Sequence, residues 1–159
     1  MLAVAGTAFV VGSQRDAVIA ERDTELARRA DAVAALERIT AASLRVAAEP
    51  DAANVALDGT GAPGAEGAWG TLAFSPGTRE LVVIATGLPR PAEGREFRCW
   101  VEDEGGRRPV GRMYFARDLA FWVGEVDAVA GLSDGTFGVT LVDENGDALE
   151  GAPALLGEL

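Results

Sequence analysis

All seven prolines, and every glycine except Gly6 and Gly12, lie beyond Ala48. Proline and glycine break helices and shape turns, so this asymmetry divides the chain into two kinds of structure. The first 48 residues hold nothing that would stop a helix, whereas the remainder reads as a turn-rich β domain. With 48% apolar residues the chain can bury a core, and its 159 residues suit one ordinary domain plus a short extra element.

The helical part itself changes character. Met1 to Gly12 carries no charge. It is shorter than the ~20 apolar residues of a full membrane span, and no basic segment precedes it as in a signal peptide. Two readings compete: the outer end of a transmembrane helix, or a short buried or interfacial helix of a soluble protein. From Ser13 to about Ala48 the pattern is that of a charged helix. Ser13 with Asp16 fits a capping arrangement, and Glu21, Arg22, Glu25, Leu26, Arg28, Leu36 and Glu37 are strong helix formers. Ile19, Leu26 and Val33 recur every seven residues, a spacing that predicts self-association. Arg22, Arg29 and Thr40 interrupt a strict seam. Such a helix either forms a stalk or folds back on the β domain, and its continuity with the apolar run favours the stalk. Glu49-Pro50-Asp51 ends it, because proline disfavours helical geometry in the residue before it. The expected organisation is therefore an apolar helix start at 1–12, a helical stalk at 13–48 and a β domain at 53–159.

Beyond Pro50 come short runs separated by turn residues: Asn54 to Leu57, Thr71 to Phe74, Glu80 to Ala85, Glu96 to Glu102, Pro109 to Phe115, Leu119 to Val126, Thr136 to Val142 and Ala154 to Leu156. Glu80 to Ala85 is the most apolar, suited to a central strand buried on both faces. No helical pattern interleaves these runs. The expected fold is mainly β: an antiparallel two-sheet β-sandwich of about eight strands preceded by a long N-terminal α-helix.

Composition excludes several chemistries. A net charge of −11 repels phosphate backbones, which argues against nucleic-acid binding. Histidine is absent, which removes the commonest general base and the usual nitrogen metal ligand. Cys99, the single cysteine, alternates with Phe97 and Val101 and reads as a buried, inert small hydrophobe. Glu102-Asp103-Glu104 and Asp143-Glu144 occupy apparent hairpin turns and read as solvated acids rather than a catalytic pair. The stretch Asp143 to Asp147 lacks the spacing and final glutamate of a calcium loop. The glycines near Gly59 and Gly70 have no following helix to make a phosphate cradle. For Trp69, Trp100 and Trp122 core packing is the first reading, and a ligand-binding patch the alternative. The expectation is a protein with no catalytic residue, no cofactor and no metal site.

One stretch carries a family resemblance. Gly87-Leu88-Pro89, Pro91, Gly94, Phe97 and Trp100 form a Gly-Leu-Pro turn followed by a strand ending in tryptophan. Gly111 lies in a following strand, and Thr140, Gly146 and Pro153 mark a closing segment. In this order, over about residues 53–157, the sequence resembles the C-terminal domain of anti-sigma-K factors, with Phe97 replacing a tyrosine and Cys99 a leucine. The resemblance implies a cytoplasmic sigma-binding domain, absent from this chain, then one membrane helix and an extracytoplasmic domain. It further implies a single-pass cell-membrane location and release of the sigma factor by a site-1-type protease. The alternative is a secreted or surface-anchored binding module with no sigma-factor role.

Overall fold

A computed structural model describes residues 5–63, 65–132, 134–145 and 151–159, with side chains from residue 21 onward apart from that of residue 23. The backbone opens with α1 (Ala5–Ala48), an unbroken helix of 44 residues. Ser13 lies inside it rather than at its start. The uncharged run contains helix-compatible alanine, valine and phenylalanine, and an interior glycine costs only about 1 kcal/mol against alanine. By internal contacts the chain forms two compact units, Met1–Leu36 and Glu37–Leu159. The described part of the first is helix alone, with Leu26, Val33 and Leu36 each more than half exposed.

The second unit begins with the last turns of α1 and continues into the strands β1 (Ala53–Gly59), β2 (Trp69–Phe74), β3 (Glu80–Thr86), β4 (Arg95–Asp103), β5 (Gly106–Arg112), β6 (Tyr114–Ala116), β7 (Leu119–Glu125), β8 (Thr136–Asp143) and β9 (Pro153–Glu158). A single 3-10 turn, Asp127–Val129, follows β7. Eight runs were expected, and the ninth strand arises because Pro109 to Phe115 is divided at Met113.

The strands do not make a two-sheet sandwich. They form one antiparallel sheet in the order β5-β4-β8-β9-β1-β2-β3-β7-β6. Its outermost strands, β5 and β6, are consecutive in sequence with only Met113 between them. β5 pairs with β4, and β6 pairs with β7. The Met113 N–H donates to the Phe97 carbonyl at 2.8 Å. The sheet thus curls until its two ends are joined by one bent segment, giving a nearly closed barrel. A sandwich and a strongly curled sheet bury the same alternate residues, so alternation alone does not separate them.

The core follows from that alternation. Leu57, Leu72, Leu81, Val83, Phe97, Cys99, Val101, Phe137, Val139 and Leu155 point into one cluster and are essentially inaccessible. Each large aliphatic or aromatic side chain buried this way contributes about 1.5–3 kcal/mol. On β3 the expectation of two buried faces holds: Val82 is buried as well, on the opposite side from Leu81 and Val83. That outer face, with Phe121 of β7, is where the end of α1 lies. Ile39, Ala42 and Val46 are buried, Arg38 stacks over the Phe121 ring at 5.8 Å, and Arg45 pairs with Glu80 at 2.7 Å.

Candidate functional site

The residues singled out in sequence assemble around β4. Gly87 leaves β3 with φ of +78°, and a Cβ there would stand 2.9 Å from the Ala68 Cα. Only glycine fits both the left-handed backbone and the close approach. Leu88 turns back into the core, and Pro89 stays exposed. Gly94, also at φ +78°, is the third residue of a turn closed by the Arg95 N–H donating to the Ala92 carbonyl at 3.1 Å. That position of a type II turn requires positive φ. The motif therefore sets the two corners that deliver β4 to the sheet.

On β4, Phe97 points into the core and lies 6.2 Å from the Phe115 ring. Trp100 points the other way, yet is only 1% exposed. Its Nε1 donates to the Thr140 hydroxyl at 2.8 Å, and the Arg107 guanidinium covers its ring at 3.7 Å. Gly138, directly across on β8, leaves room for the ring: a Cβ there would fall 2.1 Å from the indole. Thr140, itself fully buried, thus has a partner for its polar atom. Gly111 plays the same part for Trp122, whose Nε1 would stand 2.2 Å from a Cβ at that position. Pro153 pairs opposite Thr140, and its carbonyl accepts the Thr60 hydroxyl. Gly146 lies outside the described residues.

The three tryptophans have three fates. Trp122 packs partly against the core, and Trp100 is buried on the outward face. Trp69 is 57% exposed, which corrects the core reading for that residue. It opens β2 at the sheet end, on the face opposite Gly70 and Leu72. Among the helix positions expected to self-associate, Leu26 and Val33 are exposed, and the side chain of Ile19 lies outside the described residues.

Cys99 is fully buried with its Sγ 3.1 Å from Met113 Sδ, and burial pushes its thiol pKa far up. A thiol held protonated this way is not a nucleophile. The turn acids are engaged rather than merely solvated: Glu102 pairs with Arg107 at 3.0 Å, Asp103 with Arg108, and Asp143 with Arg95 at 3.4 Å. They brace the edges of β4. Among the described residues no group of acids and cysteine could hold a metal ion. A shallow depression of about 440 Å³, lined by Asp103, Arg108, Leu132 and Asp134, is open to solvent and brings no nucleophile beside a base.

One contact at the exit of α1 had no signal in the sequence. Asp51, legible only as part of a helix stop, accepts hydrogen bonds from the buried Ser75 hydroxyl at 2.6 Å and from the Gly77 N–H at 2.7 Å. The Ser75 bond, aided by Gly77, lowers its carboxyl pKa against the opposing effect of desolvation. This ties the exit of α1 to the β2–β3 turn.

Comparison with known proteins places these features in context. Residues 1–153 match the family model described as "Anti-sigma-K factor rskA, C-terminal", so the match takes in the helix as well as the barrel. Among curated proteins, an uncharacterized protein in the phr 5' region of Streptomyces griseus is 30% identical over 106 residues, covering 65% of this chain and 40% of that protein. The chain thus spans well under half the length of this relative. No solved structure matches the chain. Among the described residues, no helix is long and apolar enough to cross a membrane.

Proposed function

Since the chain belongs to the family of anti-sigma-K factor C-terminal domains, we propose that it is the extracytoplasmic regulatory domain of a membrane-anchored anti-sigma factor. In this reading it controls release of an extracytoplasmic-function sigma factor through regulated proteolysis. The observation that carries it is the family match over residues 1–153, which treats helix and barrel as one unit. The physical character of the barrel agrees: Glu102 and Asp103 are ion-paired, its one thiol is sealed, and binding or shielding needs no catalytic group. The uncharged residues 1–12 would meet the membrane, and the helix beyond them would offer the stretch cut by a site-1-type protease. Contact with the sigma factor belongs to a cytoplasmic domain outside this chain.

The test is fractionation of the full-length protein in its native cells, with a topology reporter fused after Leu159. Sedimentation with membranes and a reporter active only outside the cytoplasm are expected. Recovery in the soluble cytoplasmic fraction would overturn the reading, and secretion into the medium would favour a free binding module.

Self-association through the helix is a second part of the proposal, resting on the exposed Leu26 and Val33 at heptad spacing. Light scattering on residues 1–159 should give about twice the subunit mass, and on 53–159 a monomer. Monomeric masses for both would remove it.

A further inference from the structure

The end of α1 is held to the barrel by contacts of two different kinds. Ile39, Ala42 and Val46, one face of the helix at i, i+3 and i+7, are at most 5% exposed. They lie on the side of the sheet where Val82 and Phe121 are buried away from the core. Around this apolar contact sit three polar or cation–π tethers: Arg38 over Phe121, Arg45 to Glu80, and Asp51 to Ser75 and Gly77. Arg45 is 58% exposed on its side chain, and pairs of that kind are weak. The strands beneath are a different matter, since their registers run without a break from β1 through β2 and β3 to β7. The contact between helix end and sheet is thus smaller than the contacts that hold the sheet.

Upstream the helix changes state. From residue 21 to residue 34 no described side chain is buried. A helix whose side chains stay exposed gains little from burial and is only marginally stable in water, so it frays locally and admits proteases, whereas packed turns open rarely.

We infer that residues 37–48 form a detachable strap, whose seating on the outer face of β3 and β7 shields this stretch of helix and whose release exposes it to proteolysis. Release uncovers Val82 and Phe121 and leaves the core of the barrel untouched. The strap follows from the packing and the tethers at the end of α1, and it deepens the regulatory reading by naming the contact that would be regulated. Fractionation tests that reading and proteolysis tests the strap, so each can fail without the other.

The experiment is limited trypsin digestion of the intact chain, followed by mass spectrometry. All basic residues are arginine, so the reporters are the cuts after Arg28 and Arg29, outside the strap, and after Arg38 and Arg45, within it. Cuts at Arg38 and Arg45 should be slower than at Arg28 and Arg29 by about tenfold or more. The double variant Asp51→Asn with Glu80→Gln should raise the two strap rates by about tenfold, while Cys99 stays unreactive to a thiol reagent and so reports an intact barrel. Should that variant fail to fold, Ala42→Asp, on the helix and outside the barrel core, should free the same two sites. Equal rates at all four arginines in the unaltered chain would overturn the inference. So would strap rates that no variant changes, or that rise only when Cys99 becomes reactive.

Discussion

Trp100 shows how a single side chain is held by sequence choices on three strands. Its ring is buried on the outward face because Gly138 makes room below, Arg107 covers it and Thr140 accepts its N–H. Thr140→Val keeps the shape and removes the acceptor, leaving the indole N–H unpaired, which should cost about 1–3 kcal/mol in urea denaturation. Gly111→Ala sets a methyl against the Trp122 indole and should cost about 1–3 kcal/mol by the same measurement. Asp51 carries a pH signature. Its folded pKa lies below the ordinary aspartate value of 3.8, so its contribution is present above that value and lost as pH falls through the folded pKa. Acid unfolding curves of wild type and Asp51→Asn should therefore converge at low pH and differ near neutrality. The buried identity of Cys99 and Phe97 was legible from alternation. Asp51 was not, because its partner Ser75 is 24 residues away and hydrogen bonds over such distances leave no periodicity. Trp69 misled because hydrophobicity does not tell which end of a strand stays in water.

At the scale of elements, six of the eight runs read from sequence fall within single strands, since alternation and turn residues act locally; Pro109 to Phe115 breaks at Met113 and Leu119 to Val126 overruns β7 by one residue. What they do not encode is the partner of each strand. The segment from Gly106 to Ala116 looks continuous, yet it pairs with β4 before Met113 and with β7 after it. Met113→Pro would delete the N–H that reaches Phe97 and vacate a buried site, so the join between the sheet ends should weaken. Its expected signature is a lowered urea midpoint together with earlier thiol labelling of Cys99. Midpoint and labelling both equal to wild type would show that the join contributes nothing. The helix stop at Glu49-Pro50-Asp51 was legible, whereas the residue at which α1 joins the compact barrel unit, Glu37, was not. Packing decides that position, and the helix-forming residues run on regardless.

For the whole molecule, the family resemblance carried by the β3–β4 corner and the later motifs held, and the family match extends from residue 1 to residue 153. The general architecture, mainly antiparallel β after one long helix, also held. The error was global: a sandwich was expected where one sheet curls on itself, a matter of twist and closure that depends on every strand at once.

The way the sheet closes has a mechanical side. α1 enters the barrel at β1, which is bound to β2 along six paired positions but to β9 at only two, Asp58 with Leu156 and Gly59 with Leu155. A pull along the helix therefore loads one strand with a broad seam on one flank and a narrow one on the other. Once the helix end has come away, tension would part β1 from β9 before it parts β1 from β2, opening the wall beside β9 while the remaining pairs still hold.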